Sequence, residues 1–344
     1  MTINRKIRYF KGETTMYALI RNLAAGSLLS IIASLSFAAP YTMRLSHQYP
    51  PQHQVAKALD QFAQDVRAAS AGRVDVQLFG AEQLFKATQN HAAVAKGDIE
   101  AAVILSISWG ATIPEMAVTS IPFMLSRAQQ LQRFPQSSAA QYLNTKLKSK
   151  GVVNIGWLLD DNWAIFTSAK KPLIQPADFR GIKIRGQSKL TDEGLIAMGA
   201  SPSSMPGSEV YQALLAGVID AGYTGVAAAY SRRYYEAQKF GTVAPITTVY
   251  ANLVVNPRWW SSLPEDIRKS IETAARTAEV RLLPKNDQIS PALISELREK
   301  GMQITVLDPA QQKALSDVMQ PAVVKAFKAS ASDGEKIIEL INQL

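Results

Sequence analysis

Three features of this sequence predict an α/β fold with largely parallel sheets. Apolar residues alternate along the chain between a period of two and a period of three to four. Glycines and prolines mark the switches. The 344 residues, 47% hydrophobic and 19% charged, suffice for a sizeable core or for two domains.

The elements follow in order. Residues 1–15 carry Arg5, Lys6, Arg8 and Lys11, and an apolar run from Leu23 to Phe37 ends at Ser36-Phe37-Ala38. A basic start, a short apolar stretch and small residues at its exit describe an export leader over residues 1–38, with Met16 as an alternative start. The run is too short to span a bilayer. Tyr41–Ser46 reads as a strand. From His53 to Ser70, Val55, Leu59, Phe62 and Val66 recur on one helical face until Ala71-Gly72. Val74, Val76 and Leu78 alternate with polar residues as a strand, and a helix over 85–96 leads to an apolar strand, Ala101–Leu105.

Strands are expected at 151–159, 164–167 and 182–185. Helices follow at 190–198 and 209–215, with a short strand at 218–222 and another at 249–255. Ser262 and Pro264 open a helix with Glu265 and Asp266 at its positive end. Pro284 and Pro291 divide the helical region beyond it. Gln303–Leu307 reads as a strand, and Asp308-Pro309 starts the last long helix.

Composition excludes much chemistry. The chain has no cysteine, so disulfide frameworks, thiol nucleophiles and cysteine-held metals are absent, and it has three histidines. Without the leader, 32 basic residues face 27 acidic ones, which lacks the dense basic stripe of a nucleic-acid binder. No glycine-rich phosphate loop and no Gly-x-Ser-x-Gly elbow occurs. Ser168 and Lys171 have a hydrolase-like spacing, yet Pro172 follows and a turn is the better reading. His47 and His53 flank Pro50-Pro51 at no metal-site spacing and read as capping or solvated. The adjacent carboxylates Asp160-Asp161 diverge on a strand end. No catalytic set emerges, so no enzyme and no cofactor are expected.

The informative region is 177–230. Asp178-Phe179-Arg180-Gly181-Ile182-Lys183-Ile184-Arg185 gives a strand with an arginine at its carboxyl end, where open α/β sheets bind ligands. A guanidinium there can hold a carboxylate through two charge-assisted bonds. Met198-Gly199-Ala200-Ser201-Pro202, Glu209-Val210-Tyr211-Gln212-Ala213-Leu214 and Gly217-Val218-Ile219-Asp220-Ala221 follow it. Gly72-Arg73-Val74, Gly97-Asp98-Ile99, Ile121-Pro122-Phe123 and Trp260 with Leu263-Pro264 are further landmarks.

In this order and spacing, over nearly the whole chain past the leader, the sequence resembles the extracytoplasmic solute-binding proteins of tripartite ATP-independent periplasmic (TRAP) transporters. The resemblance implies a periplasmic-binding-protein-like α/β fold, with two lobes, crossing strands and a long connecting helix. The expected lobes are 39–162 with 250–283 and 163–249 with 284–344. It also implies a periplasmic receptor, acting as a monomer, that closes on a small organic acid and presents it to a membrane permease. Arg185 would form the salt bridge to the ligand carboxylate. The chain departs from the family pattern twice. Ala164 stands where many members have an arginine, and Thr224-Gly225 where many have Asn-Pro. With Trp163, Trp109, Tyr223 and Tyr250 expected nearby, a monocarboxylate with an apolar or aromatic body is favoured. Thr224, Asn162, Asp161, Ser106, Gln48 and Tyr49 complete the expected binding residues. An amine, alcohol or amide solute on Asp161 and Asn162 is the alternative, and a periplasmic enzyme or sensor subunit is a more distant one.

Overall fold

A computed structural model describes residues 41–284 and 287–344, and the leader expected at 1–38 lies outside them. The chain opens with β1 (Tyr41–Ser46), α1 (Gln54–Ala69), β2 (Val74–Phe79), α2 (Asn90–Lys96) and β3 (Ala101–Leu105). Next come α3 (Ala128–Arg133), α4 (Ser138–Ser149) and β4 (Val153–Asp161). The following block holds β5 (Ala164–Ser168), β6 (Lys183–Gly186), α5 (Lys189–Ala197), β7 (Ser201–Ser204), α6 (Gly207–Leu215), β8 (Ala221–Gly225), α7 (Val226–Ser231) and β9 (Phe240–Ala244). The chain finishes with β10 (Val249–Val255), α8 (Pro257–Ser262), α9 (Glu265–Leu282), α10 (Pro291–Glu299), β11 (Gln303–Val306), α11 (Pro309–Ser330) and α12 (Gly334–Asn342).

Two mixed sheets result. The first has the order β2-β1-β3-β10-β4 and the second β11-β9-β5-β8-β6-β7. Each contains one strand antiparallel to both its neighbours: β10 against β3 and β4, and β5 against β8 and β9. Both are the strands that arrive from the other sheet, β5 straight after β4 and β10 straight after β9. The remaining pairs are parallel. A strand that crosses between sheets enters against the direction of its hosts, which is why neither sheet is purely parallel.

Local chemistry accounts for most element ends. His53 caps α1, its Nδ1 accepting from the Val55 N–H at 3.2 Å. Asp308 and Gln311 cap α11 reciprocally, at the start that Asp308-Pro309 leads one to expect. Three expectations shift. Ser262 closes α8, its hydroxyl donating to the Trp259 carbonyl, and Pro264 is the residue before α9. Val218 and Ile219 terminate α6 through their N–H groups on the Ala213 carbonyl, so β8 begins three residues later than periodicity suggests. Chain 106–150, to which periodicity assigns no element, carries α3 and α4.

The long helix α11 ties the halves together. Leu315 and Met319 sit in the core of the second sheet, whereas Val323 and Phe327 sit in that of the first. The C-terminal helix α12 then packs with Leu143 and Leu147 of α4 through Ile337 and Ile341. Asp333 just before it accepts from Tyr142 and Lys146 at 2.5 and 2.6 Å. The end of the chain therefore rejoins the first lobe, a correction to the expectation that 284–344 belongs wholly to the second. A helix spanning both cores has to deliver whatever follows it to the far side.

Candidate functional site

The carboxyl ends of β1, β3, β6 and β8 face one cleft between the sheets, and both crossings, at 162–163 and 245–248, pass beside it. This is where ligands of open α/β sheets bind. The empty space in this cleft, counted out to open solvent, is about 550 Å³. Its lining is mostly polar, with Leu105, Ile107 and Val249 as an aliphatic strip.

Arg185 lines it from the end of β6. Pairing of β6 with β7 and β8 fixes the backbone, and the next residue, Gly186, admits no side chain because the Asp192 carboxylate fills that space. The Arg185 side chain is 7% exposed. Its guanidinium donates to the Tyr223 carbonyl at 2.8 Å and to the Met205 carbonyl at 3.2 and 3.3 Å. These carbonyls orient the charge without neutralising it. Burial pulls its pKa below the usual arginine value, and Asp192 opposes that through space without pairing with it. Among the described residues, Arg185 has no carboxylate at ion-pair distance. A buried cation held only by carbonyls is costly unless an anion joins it.

Of the other expected binding residues, Gln48, Tyr49, Asp161 and Thr224 line the cleft. Asp161 is already engaged, its two oxygens accepting from the N–H groups of Trp163 at 2.9 Å and Ala227 at 3.0 Å. It ties the first crossing to the start of α7. Burial nevertheless pushes its pKa up to about 6. The structure also explains Gly225: a Cβ there would lie 2.5 Å from Asp161 Oδ2.

The four aromatic residues expected at the cleft sit elsewhere in this structure. Trp163 packs with Val210, Val226 and Ile294, and Tyr223 stacks on Phe166 with its hydroxyl 3.0 Å from that of Thr247. Tyr250 stacks on Phe134 and donates to the Leu131 carbonyl, while Trp109 sits in the same core against the ring of His91. None of the four lines the cavity. Ser106 is fully buried with its hydroxyl 3.3 Å from that of Thr119, and Asn162 lies in the crossing outside the lining. Large rings beside a crossing are recruited by the cores it separates.

Five polar lining residues lie outside that set of expectations: Asp160, His53, Gln187, Arg232 and Thr247. Arg232 follows α7, and its guanidinium occupies the position a Gly207 Cβ would take. Positive charge thus enters the cleft from α7, while Ala164 on β5 leaves a methyl in the wall. Asp160 lies in the buried end of β4 beside Asp161, and burial together with the Asp161 charge raises its pKa to about 7. His53 Nε2 lies 3.7 Å from it. Burial holds the His53 pKa down to about 3, so this imidazole is neutral, with its proton on Nε2 because Nδ1 accepts the cap bond. The capping role foreseen for His53 is present, and its other face belongs to the cleft.

Comparison with known proteins agrees with this architecture. Residues 45–330 match the bacterial extracellular solute-binding protein family 7, DctP. The C4-dicarboxylate-binding periplasmic protein DctP of Rhodobacter capsulatus is 28% identical over 284 residues, 82% of each chain. Among solved structures, a TRAP periplasmic solute-binding protein of Desulfovibrio salexigens with bound orotic acid superposes with a TM-score of 0.82. It is 27% identical, over 88% of this chain and 98% of its own. A second, from Shewanella oneidensis with bound succinate, gives 0.80 at 27% identity, over 89% and 99%. Among the described residues no helix is long and apolar enough to cross a membrane. With a two-sheet fold, a cleft at the crossings and this match over most of its length, the chain belongs to the family 7 extracellular solute-binding proteins and is a TRAP-type solute receptor, not an enzyme.

Proposed function

We propose that this protein captures a small organic carboxylate in the periplasm, anchors it on Arg185 and, as a closed monomer, presents it to a TRAP membrane permease. The observation that carries the reading is the Arg185 guanidinium: buried in the cleft wall, oriented by two carbonyls and lacking a carboxylate partner. The names of the relatives agree in chemistry, since C4-dicarboxylates, orotic acid and succinate all carry carboxylates. A monocarboxylate with an aromatic body has less support, because the four aromatic side chains belong to the cores. The aliphatic strip of Leu105, Ile107 and Val249 suits a compact apolar edge instead.

The test is calorimetric titration of the chain from residue 39 onward with succinate, orotate and pyroglutamate, repeated on Arg185→Ala. Two charge-assisted bonds of about 1.5–3 kcal/mol each predict at least a hundredfold loss of affinity. Unchanged affinity would refute the anchor. An amine, alcohol or amide solute without a carboxylate is the second reading, favoured by the Asp160 oxygen that has no hydrogen bond. Binding that survives Arg185→Ala and disappears in Asp160→Asn selects it.

A further inference from the structure

Beyond Arg185, the cleft contains a second set of buried polar groups that make no hydrogen bond. Arg232 Nε and Nη1 are buried without an acceptor. Asp160 Oδ1 and the Tyr49 hydroxyl are buried without a hydrogen bond, the phenol facing the carboxylate outside bonding geometry. Arg232 belongs to the second sheet's lobe and Asp160 to the first, so donor and acceptor line the cleft from its two sides. Arg232, Asp160, His53 and Tyr49 all line this one cleft. Buried groups of this kind each cost free energy until a partner arrives.

The pair also restricts what that partner can be. A second solute carboxylate would satisfy Arg232 but confront Asp160. An ammonium would satisfy Asp160 but confront Arg232. A neutral amide answers both, because it carries an acceptor oxygen and a donor N–H at fixed separation. Resting on the carboxylate reading above, we propose that the solute bears an amide in addition to its carboxylate, with Arg232 donating to the amide oxygen and Asp160 accepting the amide N–H. Gly207 supports this by leaving the guanidinium its space. Arg232 and Asp160 are then specificity determinants, and Arg185 the common anchor.

The experiment compares matched probes above neutral pH, where Asp160 is ionised. Pyroglutamate is set against cyclopentanecarboxylate, and orotate against benzoate, with succinate as the dianion. The expected result is a preference of about a hundredfold for at least one amide probe over its ring-matched acid, since a site built for hydrogen bonds rejects an analogue that lacks them. That ratio falls about tenfold or more in Arg232→Gln and in Asp160→Asn, while Arg185→Gln weakens both probes alike. The wild-type comparison needs no variant, and the two variants lie on different sheets, so a folding defect in one does not remove the test. Equal binding of matched probes, succinate binding tighter than every amide probe, or a ratio unchanged in both variants overturns the amide proposal and leaves the carboxylate reading intact. Failure of every carboxylate to bind overturns both.

Discussion

The contact between Gly225 and Asp161 permits a double-mutant cycle whose sign is set by geometry. Gly225 has φ −69° and ψ 152°, a conformation open to any residue, so alanine there brings no backbone strain. Its only penalty is steric: the new methyl would stand 2.5 Å from Asp161 Oδ2 and 2.8 Å from Cγ. To make room the carboxylate has to leave the N–H groups of Trp163 and Ala227, losing bonds of 2.9 and 3.0 Å. At about 1.5–3 kcal/mol for each charge-assisted bond, less what relaxation and water recover, Gly225→Ala is expected to cost about 3 kcal/mol. For a chain of this size that lowers the unfolding midpoint by about 5 °C. Asp161→Ala loses the same two bonds and costs a similar amount. In the Asp161→Ala background the obstructing side chain is gone, and Gly225→Ala then changes stability by no more than about 0.5 kcal/mol. Urea unfolding of the four proteins measures the coupling directly. Additive losses would refute the claim that Asp161 is what excludes a side chain at 225.

Three further outcomes are expected. Asp160 has its pKa raised to about 7, so the folded protein holds a proton that the unfolded chain releases near 3.8, and its contribution to stability declines as pH rises between those values. His47 and His53, depressed to about 4 and about 3, act oppositely by losing stability as pH falls below 6.5. The Asp160→Asn variant isolates the carboxyl: its stability relative to wild type rises from pH 4.5 to 7.5 in denaturant unfolding, and a flat difference contradicts the assignment. Asn256 caps α8, accepting from the N–H groups of Arg258 and Trp259 at 3.0 Å while donating to the Val94 carbonyl at 2.8 Å. Asn256→Ala should therefore cost about 2–3 kcal/mol, more than a cap alone, by the same measurement. Phe134 is fully buried between Tyr250 and Trp157, and Phe134→Ala should cost about 3–5 kcal/mol while leaving carboxylate affinity near the wild-type value, because this core does not line the cleft.

Periodicity alone located most strands and the large helices, because apolar side chains on one face are a local record of burial. The strand bearing Arg185, and the position of that residue at its carboxyl end, were legible for the same reason, and the family resemblance supplied the role to be tested. Where the reading failed, the deciding contacts were distant in sequence. Val218 and Ile219 look like strand residues, yet the carbonyl of Ala213 claims their N–H groups for a helix end. Trp163 looked like a ligand platform beside an altered position, but it is buried in one apolar cluster with Val210, Val226 and Ile294 from three helices.

Arg232 and Arg233 show the division most plainly. Adjacent in a polar stretch, they look equally solvated. Arg233 adopts a left-handed conformation and pairs with Glu236 at the surface, whereas Arg232 runs over Gly207 into the cleft. Likewise Asp160 and Asp161 diverge: one faces the cavity with an oxygen free of hydrogen bonds, and the other is bound by backbone N–H groups. Sequence determined the class of fold, the cleft edge of β6 and the presence of an arginine there, since these depend on periodicity and strand direction. Tertiary structure alone decided which polar groups share the cavity, because a side chain's partner there comes from another sheet, and no local pattern encodes the space that a distant glycine leaves open.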